Sequence, residues 1–481
     1  MPATLNLVDI LAALAPQLRA PGAREVRVRG VSIDSRQVSD DYLFVALRGE
    51  QRDGYDFVTQ AFTNGACLAL TERPVAGVPL IDCRGTSSPG EVHTPLTLIV
   101  PNTLAALQQL AAAHRQAFTD VVVIGVTGSM GKTTAKEAIA AVLAQAASTL
   151  KSAGNQNNEI GLPLTLLELG SEHRFAVLEM GMYALGEIAL LCRLAQPRVG
   201  VVLNVGPIHL ERLGTIERIA QAKAELVQAL PADGLAILNG DDPRVAQMAQ
   251  LTRSKAITYG LQPGRTLWAD HITVRGLDGV SMRVHLEPNV FPQVLPECDL
   301  HLQLLGRHAV YTALAAATVG LSFGLGWEAI QRGLDAVGYG LRLVPEPGIN
   351  GITLLNDCYN ANPSSTIAAL DVLTDVPGRH IAILGDMLEL GSEELGSHRE
   401  VGQHAAETVD LLVTLGNRAH EIAAGARASG LAAEAVYEFS SNAEVIAFIT
   451  PKLEMGDVIL IKGSRGMAMD SILHALQELP R

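Results

Sequence analysis

Residues 128–134 have the order Gly-Ser-Met-Gly-Lys-Thr-Thr, which combines the residue types that bind a phosphate chain. Glycines let backbone N–H groups converge on a phosphate, and the N-terminus of a following helix adds partial positive charge. Lys132 can neutralise the β- and γ-phosphates, and the hydroxyl of Thr133 can bind Mg²⁺. The segment predicts an ATP site formed by Gly128, Ser129, Met130, Gly131, Lys132, Thr133 and Thr134.

This loop is a shorter variant of the usual phosphate-binding motif, because Val126 stands where the strict pattern has its first glycine. The alternative is a glycine-rich turn that only happens to precede a helix. The neighbouring residues argue against it, since the apolar run 121–126 predicts a buried strand and a helix is expected to start near Thr133. A loop between a strand and a helix is the arrangement that phosphate binding requires.

A candidate metal ligand lies at the end of a later apolar run. Glu179 is in the run 175–180, and His209, a single histidine, follows the run 199–205. Open α/β sheets bind ligands at the C-terminal ends of their strands, so Glu179 can reach the Mg²⁺ bound by Thr133. Taken alone, Glu179 could also be a local hydrogen-bond acceptor, and His209 could be a polar loop residue.

The elements around these residues predict an α/β protein of three domains. Short apolar runs within residues 1–100 predict a small mixed α/β domain. Apolar strands alternate with helices over 101–337, which predicts a central parallel-sheet ATPase domain with an insertion of short strands near 266–303. The alternation resumes over 338–481, as in a doubly wound, Rossmann-like domain, and Gly-Tyr-Gly at 338–340 is the predicted hinge.

The composition excludes several classes of protein. The chain has 481 residues and a formal net charge of −14, with no run of basic residues, so a nucleic-acid partner is not expected. Its five cysteines are scattered and never spaced as CxxC, which argues against a disulfide framework or a zinc site. No stretch is long and apolar enough to insert into a membrane, and residues 1–18 lack a basic leader. We therefore expect a cytoplasmic protein.

The Gly-Ser-x-Gly-Lys-Thr-Thr loop resembles that of the Mur ligase family, whose members form amide bonds through acyl phosphates. The strongest resemblance is to the branch that adds D-alanyl-D-alanine to UDP-N-acetylmuramoyl-tripeptide. It is carried by Asp-Cys-Tyr-Asn-Ala-Asn at 357–362 and Gly-Asp-Met-Leu-Glu-Leu-Gly at 385–391. The Tyr-Ala-His-x-Pro and Asp-Asn-Pro-Arg motifs of the diaminopimelate- or lysine-adding branch are absent. The resemblance covers essentially the whole chain and implies UDP-precursor-, ATP- and dipeptide-binding domains, in that order.

The resemblance also implies catalytic roles for Lys132, His209, Lys223 and Arg342. His209 would bind a second Mg²⁺, and Lys223 would be carbamylated by CO₂ to become a further metal ligand. A lysine close to two metal ions would be driven to its neutral, reactive form. The alternative for Lys223 is an exposed side chain in a helix salt bridge. Arg342 would reach the γ-phosphate, or else be a solvated linker residue.

Contacts to the rest of the nucleotide and to the substrates follow from the same resemblance. Asn239 would touch the adenine, although Asn-Gly-Asp-Asp-Pro is also an ideal turn, and Asp357 would bind the ribose. Ala309 and Thr312 stand where the family has two asparagines, so amide contacts from that helix are in doubt. The implied substrate-binding residues are Ser32, Asp34, Ser35, Arg36, Asn155, Asn157, Asn158, Tyr359, Asn360, Asn362, Lys462, Ser464 and Arg465.

Two other functions stay open from the sequence. One is a related ligase with a different acceptor, such as the tripeptide-forming enzyme or a folylpolyglutamate synthase. The other is a nucleotide-binding regulator that keeps the fold without ligating. For the ligase that the resemblance implies, we expect a monomer.

Overall fold

The computed structural model describes residues 5–49, 51–87, 90–337 and 343–477. These residues form three large sheets and one two-stranded pair, with helices between many of the parallel strands. The predicted α/β class, with a small N-terminal sheet, a central sheet and a C-terminal sheet, is confirmed. The hinge at 338–340 and Arg342 lie outside the described residues, and the domain boundaries stay a prediction.

The N-terminal sheet has five parallel strands in the order β3-β4-β5-β7-β6, and β1 and β2 pair separately as antiparallel strands. Every residue of β5 is buried, because hydrophobic clusters cover both faces of the sheet. The elements are β1 (Leu5–Asn6), α1 (Leu7–Leu14), β2 (Arg27–Val28), β3 (Gly30–Ser32), β4 (Tyr42–Val45), α2 (Val58–Thr63), β5 (Ala66–Thr71), β6 (Leu80–Asp82) and β7 (Leu96–Ile99).

The central sheet has nine strands in the order β16-β15-β14-β13-β12-β11-β8-β10-β9. The chain moves to one side of β8 for β9 and β10 and to the other side for β11, so β8 lies at a topological switch point, where open α/β sheets bind ligands. The first elements of this region are α3 (Thr103–Gln116), β8 (Val122–Thr127), α4 (Lys132–Leu143), β9 (Thr149–Lys151), α5 (Gly161–Leu166), β10 (Phe175–Glu179), α6 (Glu187–Ala195), β11 (Val199–Val202), α7 (Leu210–Leu213), α8 (Ile216–Gln228), β12 (Leu235–Asn239) and α9 (Pro243–Gln247).

The short strands expected near 266–303 extend the central sheet instead of forming a separate insertion. The strand β14 pairs in parallel with β13, and β15 and β16 add antiparallel. Their pairing covers the β13 edge, which would otherwise expose unpaired backbone groups. The remaining elements of this region are β13 (Lys255–Gly260), β14 (Leu267–Val274), β15 (Val280–Leu286), β16 (Glu297–Leu302), α10 (Ala309–Ser322) and α11 (Trp327–Asp335).

The C-terminal sheet has six strands in the order β17-β18-β22-β19-β20-β21, and only β17 is antiparallel to its neighbour. Helices α12, α13 and α14 pack on one face and α15 and α16 on the other, as in a doubly wound fold. The elements are β17 (Val344–Pro347), β18 (Thr353–Asp357), α12 (Pro363–Thr374), β19 (His380–Gly385), α13 (Glu394–Thr408), β20 (Leu411–Leu415), α14 (His420–Ala428), β21 (Val436–Phe439), α15 (Asn442–Ile449), β22 (Val458–Lys462) and α16 (Asp470–Gln477).

Over the described ranges, no helix has both the length and the apolar character needed to cross a bilayer.

The contact between α13 and α14 predicts opposite effects for two glycines of α13. A Cβ atom on Gly402 would lie 2.0 Å from the carbonyl oxygen of Ile422, whereas one on Gly396 would meet nothing within 4 Å. We expect Gly402→Ala to destabilise the fold by about 1–3 kcal/mol through overpacking. Gly396→Ala should be neutral or stabilise by up to about 1 kcal/mol. Thermal unfolding followed by circular dichroism measures both, and an unchanged midpoint for Gly402→Ala would contradict this packing.

Candidate active site

The loop over 128–134 connects β8 to α4, as the sequence predicts. Gly131 caps α4 with φ of 75°, a left-handed conformation that glycine adopts without a steric penalty. Gly128 is needed for a different reason, since a Cβ atom there would lie 2.9 Å from the Cβ of Leu203. The Nζ of Lys132 donates to the carbonyl of Gly128 over 2.9 Å, which folds the side chain back over the loop. The cation therefore lies where a phosphate chain would be bound.

Asn204 holds this loop against the end of β11. Its Oδ1 accepts from the N–H of Met130 over 2.8 Å, and its Nδ2 donates to the carbonyl of Met130 over 3.1 Å. Its own carbonyl accepts from the N–H of Ser129 over 3.0 Å. No role for Asn204 was predicted from the sequence, because an asparagine after a strand does not by itself indicate contact with the phosphate-binding loop.

Glu179 is 2% exposed at the end of β10. Its Oε1 accepts from the Nδ2 of Asn157 over 2.8 Å, and its Oε2 is buried with no hydrogen-bond partner among the described residues. Burying a polar atom without a partner is unfavourable, so this oxygen is suited to a cation. Asn157, predicted as a substrate residue, acts here by orienting the carboxylate.

Lys136 is a residue of the site that the sequence interpretation missed. It is fully buried, and its Nζ donates to the carbonyls of Ser152 over 2.7 Å and Gly154 over 3.2 Å. The hydroxyl of Ser152 in turn accepts from the N–H of Glu179. Lys136 therefore ties α4 to the strand that ends at the buried carboxylate. Its place one turn after Lys132 on α4 was the only available signal.

Lys223 lies in α8 and is 1% exposed. Within the described part of the chain, its ammonium has no hydrogen bond or ion pair. Burial lowers the pKa of Lys223 well below its usual value, and the nearby charge of Lys132 lowers it further. The exposed lysine in a helix salt bridge, kept as an alternative, is excluded by this burial.

His209 caps α7 with φ of 53°, and its ring packs edge-on against Tyr183 with centroids 4.6 Å apart. Its Nδ1 lies 2.6 Å from Oε2 of Glu389, which belongs to the C-terminal domain. Burial lowers the pKa of His209, and this effect outweighs the opposing effect of the Glu389 carboxylate. The imidazole is therefore neutral near pH 7, the form that binds metal ions.

These residues fit a magnesium ion. Thr133, Glu179 and His209 line the same cleft, and Glu179 contributes the unpartnered oxygen. In the ranges that the structure describes, no group of three or more His, Cys, Asp or Glu side chains could hold a metal by itself. Mg²⁺ usually keeps water and phosphate ligands beside one or two protein carboxylates, which matches this limited set.

The cleft has a volume of about 460 Å³ and lies between the central and C-terminal domains. It brings together most of the residues predicted from sequence. The predicted residues that line it are Ser129, Met130, Gly131, Lys132, Thr133, Thr134, Asn155, Asn157, Glu179, His209, Asp357, Tyr359, Asn360, Asn362, Lys462, Ser464 and Arg465. Gly128, Asn158, Lys223 and Asn239 do not line it, and neither do Ser32, Asp34, Ser35 and Arg36.

A second cavity adjoins the loop on the side of β12 and is lined by Asn239, Asp241 and Tyr311. The Nδ2 of Asn239 donates to the carbonyl of Leu203 over 2.8 Å, and its Oδ1 accepts from the N–H of Asp241. The amide predicted to touch the adenine is therefore bonded within the protein. The hydroxyl of Tyr311 donates to Asp241 over 3.2 Å, and the sequence interpretation did not include this pair.

Asp357 and Lys462 form the C-terminal wall of the cleft. They end the adjacent parallel strands β18 and β22 at the same register, and both are buried. Oδ2 of Asp357 pairs with Nζ of Lys462, which also donates to the carbonyl of Asn360 over 2.9 Å. Oδ1 of Asp357 is buried and has no partner in the part of the chain that the structure describes, so this wall too presents an unsatisfied acceptor.

Three predicted substrate residues have bonds within the protein. Asn362 caps α12 by accepting from the N–H of Ser365. The hydroxyl of Ser464 accepts from the N–H of Leu388 over 2.9 Å, and Oδ1 of Asn158 accepts from the N–H of Gly161 over 2.8 Å. Their contacts with a substrate stay predictions.

The four N-terminal candidates form one turn after β3. Asp34 pairs with Arg36 at 2.7 Å, and this hydrogen bond lowers the pKa of Asp34 to about 2. Ser32 accepts from the N–H of Asp34, and Ser35 donates to the side-chain oxygen of Gln60. The guanidinium of Arg36 stays 81% exposed, so it is accessible to an anion.

Three family models match the chain in order. They are described as the Mur ligase family catalytic domain over residues 27–115, the Mur ligase middle domain over 126–320 and the Mur ligase glutamate ligase domain over 341–465. A UDP-N-acetylmuramoyl-tripeptide--D-alanyl-D-alanine ligase from Synechocystis is 38% identical over 94% of this chain and 93% of its own length. The chain belongs to the Mur ligase family.

Solved structures of the family agree with this assignment. A MurF structure from Acinetobacter baumannii has a TM-score of 0.85 and 29% identity, and covers 99% of this chain and 100% of that chain. The MurF ligase of Thermotoga maritima in complex with ADP has a TM-score of 0.75 and 25% identity, and covers 94% of this chain and 97% of that chain.

In this Mur ligase, Ala309 and Thr312 replace the two asparagines expected at the start of α10. Both side chains line the cleft, and both are buried. The helix keeps its packing on α4 and the sheet through a nearly continuous set of buried residues. At these two positions the start of α10 therefore offers the cleft one methyl group and one hydroxyl, while the helix stays closely packed.

The geometry of Glu179 predicts a metal-specific effect of one substitution. We expect Glu179→Gln to raise the Mg²⁺ concentration for half-maximal ADP release at least about tenfold, because the neutral amide loses the charge that attracts the cation. The amide oxygen can still accept from Asn157, so the thermal midpoint should change little. Titration of Mg²⁺ in a coupled assay of ADP release measures the change. The control is Glu172→Gln, the same substitution at an exposed residue of a turn. Unchanged Mg²⁺ dependence would contradict a metal role for Glu179.

Proposed function

We propose that this Mur ligase joins D-alanyl-D-alanine to UDP-N-acetylmuramoyl-tripeptide in peptidoglycan precursor synthesis, with conversion of ATP to ADP and phosphate. One observation carries the proposal. A single cleft contains the phosphate-binding loop and Glu179 on one wall and Tyr359, Asn360 and Lys462 on the other. Two relatives that align with 94% of this chain are named as this ligase, which supports the choice of acceptor.

In this proposal, ATP binds with its phosphates on the loop over 128–134 and its adenine in the cavity beside Asn239. The N-terminus of α4 and the ammonium of Lys132 stabilise the negative charge of the phosphates. The unpartnered Oδ1 of Asp357 accepts a ribose hydroxyl. Arg342 reaches the γ-phosphate from the C-terminal side.

The reaction proceeds by two displacements. The terminal carboxylate of the tripeptide attacks the γ-phosphorus, the bond to the β-phosphate oxygen breaks, and ADP leaves. The amine of D-alanyl-D-alanine then attacks the acyl phosphate carbon, loses a proton, and expels inorganic phosphate from the tetrahedral intermediate. The side chains act mainly by positioning and by stabilising charge, and Lys132 and Arg342 supply the positive charge for the transferred group.

Magnesium supplies charge neutralisation at the phosphates when it is bound. Thr133 and Glu179 would hold one ion, and His209 and a carbamylated Lys223 would hold a second. Lys223 supports this proposal through its burial, its lack of a partner among the described residues and its lowered pKa. A neutral amine can attack CO₂ and lose a proton, which converts a cationic side chain into an anionic carbamate.

Lys223→Ala should abolish ligation, and added bicarbonate should not restore it. Carbon NMR of the wild-type protein in ¹³C-bicarbonate should show a carbamate signal that is missing in Lys223→Ala. Lys255→Ala, which removes an exposed lysine of the same domain, is the control. A fully active Lys223→Ala enzyme would refute the carbamate.

The remaining proposals concern the whole chain. Residues 1–100 bind the UDP precursor through Ser32, Asp34, Ser35 and Arg36, residues 101–337 bind ATP, and residues 338–481 bind the dipeptide. Because the three substrates bind to three different domains, the C-terminal domain closes when nucleotide and UDP substrate bind. We place the enzyme in the cytoplasm as a monomer.

The decisive experiment is ADP release with UDP-N-acetylmuramoyl-tripeptide and a panel of acceptors. We expect turnover with D-alanyl-D-alanine, little with single amino acids or glutamate, and none when either substrate is omitted. Lys132→Ala should lose at least about a hundredfold in rate because it removes the cation at the phosphates. Preference for another acceptor would replace the proposal with a different family activity, and nucleotide binding without any turnover would indicate a regulator.

A further inference from the structure

The contact between His209 and Glu389 joins the two walls of the cleft. Nδ1 of His209 lies 2.6 Å from Oε2 of Glu389, although 180 residues separate them. Glu389 lies between β19 and α13, in the segment Gly-Asp-Met-Leu-Glu-Leu-Gly. The side chain is half exposed, so this contact is not needed to fill a core.

The backbone at both ends of this contact has an uncommon conformation. His209 has φ of 53° and Glu389 has φ of 66°, and neither is glycine. Non-glycine residues in this region are uncommon and cost of order 1–3 kcal/mol each, so they persist where the surrounding structure enforces them. Strain on both partners of one contact between domains points to a function of the contact itself.

The segment that carries Glu389 is firmly anchored. The N–H of Met387 donates to Nε2 of His398 over 3.1 Å, and the N–H of Leu388 donates to the hydroxyl of Ser464 over 2.9 Å. The segment also packs closely on α7, since a Cβ atom on Gly391 would lie 3.1 Å from the backbone nitrogen of Glu211. Glu211 lies two residues after His209. The segment therefore delivers the carboxylate to His209 at a fixed place when the domains are close together.

The carboxylate also determines which ring nitrogen is available. Because a carboxylate accepts hydrogen bonds, the Nδ1 that faces Glu389 carries a proton, and Nε2 is the ring nitrogen left to bind a metal ion. Histidines that bind metals usually donate their other N–H to a carboxylate in this way, and loss of that partner lowers metal affinity or activity by about 10–100-fold.

We propose that Glu389 is a positioning residue that fixes the orientation and tautomer of His209 only when the C-terminal domain closes on the central domain. This inference rests on the proposed function for the role of the metal. It makes completion of the metal site depend on closure, because the ligand is on one domain and the group that orients it is on the other. The enzyme then does not present its full metal site to ATP before the C-terminal domain has closed.

The test is Mn²⁺ binding, measured by electron paramagnetic resonance on the full chain with a non-hydrolysable ATP analogue and UDP-N-acetylmuramoyl-tripeptide. We expect Glu389→Ala to weaken Mn²⁺ binding about tenfold, and Glu389→Gln, which keeps an acceptor oxygen, to lose less. Without the UDP substrate, the difference between wild type and Glu389→Ala should shrink. Glu393→Gln, an exposed change four residues away, is the control and should bind as wild type.

Two results would overturn the proposal. One is wild-type Mn²⁺ affinity in Glu389→Ala, and the other is a loss explained by a lowered thermal midpoint of that variant. The acceptor panel with the wild-type enzyme tests the proposed function separately. If the wild-type enzyme did not use D-alanyl-D-alanine while Glu389→Ala still weakened Mn²⁺ binding, the positioning role would stand and the proposed acceptor would be wrong.

Discussion

The arrangement of the site depends on the buried carboxylate of Glu179, of which only one oxygen has a hydrogen-bond partner among the described residues. One oxygen is bonded to Asn157, and the other is buried without a partner. A group of this kind is unfavourable unless a cation offsets it, and the protein supports it from behind with Lys136 and Ser152. These bonds hold the backbone at Glu179, and the hydrogen bond from Asn157 orients its carboxylate. The strands β8 and β10 are neighbours in the sheet, so the carboxylate and the phosphate-binding loop open at the same edge.

A second unpartnered oxygen lies on the opposite wall of the cleft. Asp357 binds Lys462 through one oxygen only, just as Glu179 binds Asn157. In both cases the carboxylate lies at the end of a buried parallel strand. One of its two oxygens is bonded to a residue of a neighbouring strand or loop. Each domain therefore presents to the cleft a carboxylate that is held in place and has one oxygen left for a bound molecule. Preorganised dipoles and charges need little rearrangement during a reaction, which is the main way such sites stabilise developing charge.

Much of this site could be predicted from the sequence, because its residues follow local rules. A buried strand, a glycine-rich loop and a helix start identified Lys132 and Thr133, and the end of a strand identified Glu179. The resemblance to the Mur ligase family added Lys223 and His209, which no local rule would have separated from ordinary surface residues. The strand pairing of β14 with β13 was missed, since the run of short strands does not show which edge they join.

The residues that sequence reasoning missed act across long separations. Asn204 contacts a loop 74 residues before it, and Glu389 contacts a histidine 180 residues before it. Such contacts depend on strand order and domain placement, which periodicity and spacing do not encode. The same reasoning explains why the sequence does not reveal the bonds that Asn157 and Asn362 make within the protein. An asparagine in a loop has the same composition signal whether its amide orients Glu179, caps α12 or binds a ligand, and only the partners in the folded chain distinguish these roles.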